Sequence, residues 1–96
     1  MKLLTGTITI DEAGTRQRFA SEPREAIYNV IFKAKKGNAG NFYLGGADVS
    51  AAWGMEMEPG SVLRLEFPSG REAALSDFYG DAATKGDQLD YLAAAR

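Results

Sequence analysis

Apolar and polar residues alternate with a period of two along most of this sequence. Leu4-Thr5-Gly6-Thr7-Ile8-Thr9-Ile10 sets apolar side chains against threonine, the mark of a half-buried strand. Asp11 to Gly14 reads as a turn. Thr15-Arg16-Gln17-Arg18-Phe19 reads as a short return strand whose polar majority suits a sheet edge. A second break follows at Ser21-Glu22-Pro23-Arg24. Ile27 to Ala34 is the strongest strand and is expected to be central, with Tyr28, Val30, Phe32 and Ala34 on one face. Ile27, Asn29, Ile31 and Lys33 fall on the other. Lys36 to Gly40 is a glycine/asparagine loop suited to positive φ, and Asn41 to Leu44 a short strand closed by Gly45-Gly46.

From Ala47 to Met57 the period is lost, which predicts an ordered loop with Trp53 as an anchor. Glu58-Pro59-Gly60-Ser61 is a turn with proline at its natural second position. Ser61 to Phe67 alternates again, with Leu63, Leu65 and Phe67 inward and Arg64 and Glu66 outward. Leu75 to Tyr79 and Gln88 to Leu92 are the last strand candidates, joined by a loop from Gly80 to Asp87. No segment keeps a helical period over ten residues, and the Ala93-Ala94-Ala95 run is too short for a helix of its own. The expectation is an all-β chain: one antiparallel β-sandwich domain over residues 1–96, jelly-roll-like or a partly open barrel, of about seven or eight short strands.

Composition then removes most chemistry. The 96 residues contain no cysteine and no histidine, so disulfides, thiolate or imidazole ligands, Cys nucleophiles and His bases are absent. Ser50, Ser61, Ser69 and Ser76 have no histidine partner and Ser-x-x-Lys does not occur. Glu56 and Glu58 lie two apart without a sign of a cleft, and the glycines at 37, 40, 45 and 46 form no phosphate-binding pattern. An enzyme and a bound cofactor are therefore not expected. Eleven basic against thirteen acidic residues give a net charge of −2, which argues against binding nucleic acid or anionic membrane by bulk attraction. No apolar run reaches the roughly 20 residues of a membrane span, and the polar turn after Leu4 does not fit a secretory signal.

Three features remain as candidate sites. Asp77, Asp81, Asp87 and Asp90 cluster late and offer carboxylates to a cation such as calcium, yet the spacing matches no EF-hand, and aspartate beside glycine more often serves turns. Residues 1–50 carry seven basic and five acidic groups, net +2, and residues 51–96 four basic and eight acidic, net −4. This split either reflects solvated strand faces or supplies complementary docking patches through Arg16, Arg18, Lys33, Lys35 and Lys36. Trp53, Met55 and Met57 in the aperiodic stretch are the apolar contact candidates, against the plainer reading of a loop tucked over an open sandwich end.

The ordered features resemble a family. Thr5-Gly6-Thr7-Ile8-Thr9, the hairpin Asn38-Ala39-Gly40-Asn41-Phe42-Tyr43-Leu44-Gly45-Gly46-Ala47-Asp48-Val49-Ser50, the Met57…Pro59-Gly60 turn and Leu75-Ser76-Asp77-Phe78-Tyr79-Gly80 are similar to small all-β virion structural proteins of tailed bacteriophages. The likeness covers most of the chain and departs at Arg71 to Ala74 and in the methionine-containing loop. It implies a non-enzymatic part of a virion, made in the host cytoplasm without a signal peptide, whose partners are capsid or tail subunits or copies of itself. A capsid decoration or cement protein comes first, then a tail, baseplate or fibre-attachment component. A carbohydrate- or ligand-binding β-sandwich using Trp53 and nearby tyrosines is the rival from another class.

Overall fold

A computed structural model describes residues 2–19 and 25–95. Its strands are β1 (Lys2–Thr9), β2 (Gln17–Arg18), β3 (Ile27–Ala34), β4 (Phe42–Gly45), β5 (Met55–Met57), β6 (Val62–Glu66), β7 (Tyr79–Ala82) and β8 (Gln88–Ala95). They form two antiparallel four-stranded sheets in the orders β1-β8-β3-β6 and β2-β7-β4-β5. Eight strands crossing between two sheets in this way make a jelly roll.

The inner faces meet in one core. Phe32 and Phe42 are its largest buried side chains, with Ile10, Ile27, Met57, Leu89 and Val30 also almost sealed. Ala93 and Ala95, on the inner face of the central strand β8, leave volume that larger residues fill. Phe78 packs edge-on to Phe32 at 5.1 Å and stacks with Phe19 at 6.3 Å, closing the core where β2 meets β7.

The long alternating segments fold as their pattern predicts. β3 has the expected bounds and lies between β8 and β6. A bulge between Ile27 and Asn29 shifts the pleat, so Ile27 is buried with Val30, Phe32 and Ala34. On β6 the inward leucines and outward Arg64 and Glu66 appear as expected. The Glu58–Ser61 turn closes with Ser61 N donating to Glu58 O at 2.9 Å, and Gly60 takes a φ of +89°. Proline followed by a positive-φ glycine gives a type II turn.

Four local expectations are corrected. The chain after Asp11–Gly14 does not return along β1: β2 pairs with β7 in the other sheet. Gly37 and Gly40 are not among the positive-φ glycines. The Asn38 side chain holds that loop instead, donating to Gln88 O and accepting from Gln88 N at 2.9 and 2.8 Å. Leu75–Asp77 is a 3-10 turn, because the Asp77 carboxylate accepts from Ala74 N at 2.8 Å and competes with an extended ladder. The strand there starts later and runs through Ala82, and the expected loop from Ala47 contains β5. The break expected at Ser21–Arg24 lies outside the described residues.

Candidate functional site

Six large hydrophobic side chains are exposed among the described residues, and four of them share one surface. Strand register explains why. Thr5, Leu92, Ile31 and Arg64 stand in one row across β1, β8, β3 and β6. The row on one side is Leu3, Ala94, Asn29 and Glu66, and on the other Thr7, Asp90, Lys33 and Val62. All point away from the core, because residues opposite one another in a sheet share a face. Leu92 and Ile31 are 46% and 36% exposed at the centre, while Leu3 and Val62 exceed 60% at opposite corners. Shallow depressions run between these side chains.

Polar groups border this centre. Asp90 accepts from Thr7 Oγ1 at 2.7 Å and from Lys35 Nζ at 3.0 Å. The Thr7 hydrogen bond first, then the hydrogen bond and charge of Lys35 and the charge of Lys33, hold the Asp90 carboxyl below its ordinary range against the opposing effect of burial. Arg64 and Glu66 face each other at 3.6 Å on the far margin. The face thus has an apolar centre inside a polar, ion-paired rim.

A second apolar opening lies at the side of the sandwich, between β5 and β6, where Leu44, Met55, Leu63, Leu65 and Phe78 line the gap between the sheets. The nearby 50–53 turn is tight: Trp53 and Ser50 exchange backbone hydrogen bonds at 3.0 and 3.2 Å, and Ser50 Oγ accepts from Ala52 N and Trp53 N. It presents Trp53 at 74% exposure, so the indole is not tucked over the sandwich end.

The contact residues expected from sequence are dispersed. Met55 is exposed at the side opening, whereas Met57 is 2% exposed and pairs with Phe42. Met57 is therefore a core residue, because residues 55 and 57 share the inner face and only the first reaches the rim. Arg18 lies over Tyr79 and donates to Ser76 O at 3.0 Å. Lys35 is tied to Asp90, Lys33 sits on the outer sheet face, and Arg16 and Lys36 are exposed in separate loops. The two halves of the chain do not form a basic and an acidic face. Each sheet alternates a strand from the first half with one from the second, which interleaves the charges.

The late aspartates have separate structural tasks. Asp87, almost fully buried, accepts from Ala39 N and Gly40 N at 2.9 and 3.0 Å. Asp81, also buried, accepts from Gly14 N and Ala82 N. Asp77 caps the 3-10 turn and Asp90 sits on the outer face. Among the described residues no three acidic side chains converge as a metal site would require. Sequence reasoning missed Leu3, Val62 and Leu92 as surface residues. The signal was there: apolar residues on both faces of the strongest strand, with Ile31 beside Asn29 and Lys33.

No protein-family model and no curated protein matches the chain. Among solved structures, a de novo designed double-stranded β-helix determined by solution NMR superposes with a TM-score of 0.53. It is 11% identical, with 97% of each chain covered. That likeness is one of fold. A 2.4 Å structure of the Tobacco streak virus coat protein dimer matches with a TM-score of 0.37 and 12% identity, over 98% of this chain and 86% of that one.

Proposed function

We propose that this chain is a virion structural protein of a tailed bacteriophage, working by docking rather than by chemistry, and foremost a capsid decoration protein. The observation that supports it best is the outer face of β1-β8-β3-β6, where Leu92 and Ile31 form an apolar centre inside a rim of Thr7, Asp90, Lys33, Arg64 and Glu66. A rigid sheet can present such a face without an ordering cost, and many modest contacts on a symmetric particle sum to firm attachment. The family resemblance in the sequence supplies the setting. Tail, baseplate or fibre attachment is the same docking reading at another place on the particle. Quantitative mass spectrometry of purified particles, from the phage whose genome encodes the chain, tests the proposal. The expected result is the protein in copy number comparable to a shell or tail subunit, and its absence from the particles overturns the reading.

A second reading rests on Trp53. Its exposed indole, on a turn held by Ser50, is the arrangement a carbohydrate-binding module would use. Trp53 is the single tryptophan, so its fluorescence reports directly: a saturable change on titration with a glycan panel supports this reading, and no change across the panel removes it.

A further inference from the structure

The four strands at the margins of the sheets are not alike. β2 and β5 are two and three residues long, and β6 carries Arg64 and Glu66. Short strands, charges and bulges are how proteins keep sheet edges from pairing. β1 has none of these protections: it runs for eight residues in unbroken register with β8 and, after Lys2, contains no charge and no proline.

Its unpaired backbone groups can be assigned. Ile10 N donates to Asp87 O at 3.0 Å and Ile10 O accepts from Gly86 N at 2.9 Å, so the groups of Ile10 face the β8 side. In a strand the N–H and C=O of one residue point to the same side and those of the next residue to the other. Ile8, Gly6 and Leu4 therefore bond toward β8, while Thr9, Thr7, Thr5 and Leu3 turn theirs outward. Thr9 O accepts from Gln17 Nε2 at 2.9 Å, which ends the open stretch. Among the described residues β1 pairs with β8 alone, leaving Leu3, Thr5 and Thr7 as a row of three outward donor–acceptor pairs.

We infer that β1 is the interface for a second copy of this chain, the two β1 strands pairing antiparallel about a two-fold axis at Thr5. Leu3 then exchanges hydrogen bonds with the partner strand's position 7, Thr5 with its own counterpart, and Thr7 with position 3. This register keeps outer side chains beside outer side chains. It joins the two four-stranded sheets into one of eight and makes their outer faces continuous. Self-complementarity selects a second copy as the occupant. The outward groups at Leu3, Thr5 and Thr7 are spaced evenly about Thr5, so an antiparallel copy of the same strand satisfies every one of them while keeping the sheet faces aligned. Lys2, already paired with Glu25 of its own chain at 2.8 Å, takes no part. The inference is independent of any role in a virion.

Sedimentation velocity of the full chain across the micromolar range tests it, with two cysteine variants as a second arm. The wild type is expected at twice the 10.3 kDa chain mass. Thr5→Pro removes an N–H that points away from β8, a change edge strands tolerate, and is expected to give a folded species of single-chain mass. Because the chain has no cysteine, Thr5→Cys places one thiol on the axis, where paired Cα atoms about 5.5 Å apart suit a disulfide. It is expected to cross-link at least about tenfold faster than Ser69→Cys, on an exposed loop, through raised effective concentration. A wild type of single-chain mass at every concentration, a Thr5→Pro variant still of doubled mass, or equal cross-linking of the two cysteine variants overturns the inference. Capture of an extended segment from a different protein in place of the second copy overturns it as well.

Discussion

The Tyr91 side chain occupies the space that a side chain at Gly6 would fill. A Cβ placed on Gly6 would lie 2.5 Å from Tyr91 Oη and 2.7 Å from Cζ. The two residues are direct cross-strand partners on β1 and β8. A glycine in an edge strand weakens it by entropy and by lost packing, and an aromatic neighbour lying over it restores much of the packing. Gly6→Ala is expected to lower stability by about 1–3 kcal/mol, the usual cost of overpacking. In a Tyr91→Ala background the same substitution should cost less. Thermal melts of the wild type and the three variants form the cycle that checks this, and an unchanged cost in the second background removes the steric explanation.

Gly80 makes the contrasting case. A Cβ there would meet Phe42 Cζ at 2.7 Å and Phe19 Cε1 at 2.9 Å, both on rings within the core. At Gly6 the obstacle is the phenolic end of a partly exposed side chain, which can swing aside. At Gly80 it is packed aromatic rings that cannot. Gly80→Ala should therefore destabilise more than Gly6→Ala in chemical denaturation, with a lower midpoint at similar slope.

Asp87 holds the 36–40 loop to the start of β8 through Ala39 N and Gly40 N. Asp87→Ala leaves both donors to find other partners and is expected to cost about 1–3 kcal/mol. Amide hydrogen exchange should show the loss of protection at Ala39 and Gly40. Calcium or EDTA should leave the melting midpoint of the wild type unchanged, since the carboxylates at 81 and 87 are already engaged by backbone amides.

Asp90 gives a pH dependence of defined sign. Its folded pKa is lowered, chiefly by the Thr7 hydrogen bond, so the unfolded chain binds the proton more readily. The contribution is present above the unfolded value of roughly pH 4 and is lost as pH falls through the folded value. Wild type should be more stable than Asp90→Asn at pH 6, and the gap should close on acidification below about pH 4. Parallel melts of the two proteins across that range measure it, and a gap that widens on acidification contradicts the assignment.

The parts of this fold legible in the sequence are those decided by local pattern. β3, β6 and the Pro59–Gly60 turn follow from alternation and turn chemistry alone. The parts that were not legible depend on partners distant in sequence. β2 has a strand's composition, but nothing near it says that it pairs with β7 rather than folding back on β1. Asp77 turns an apolar segment into a 3-10 turn through one hydrogen bond. Met55 and Met57 look equivalent in sequence, and only the position of β5 beside β4 sends one to the core and the other to the rim. The candidate docking face was half legible. Ile31 stood among polar neighbours, while Leu3, Leu92 and Val62 joined it only once register aligned four strands. The charge split illustrates the opposite error, a pattern clear along the chain that strand order disperses.

The central claim is that the chain docks on a particle through the outer face of β1-β8-β3-β6, and co-sedimentation with particles stripped of this protein tests it most directly. Ile31→Glu together with Leu92→Lys removes the apolar centre and keeps the sheet supplied with opposite charges, since the new glutamate lies between Arg64 and the new lysine. The account predicts saturable binding of the wild type and at least about a tenfold weaker binding of the double variant, a loss of roughly 1.4 kcal/mol or more, with circular dichroism unchanged. Equal binding of the two proteins, or no binding of the wild type, would contradict it.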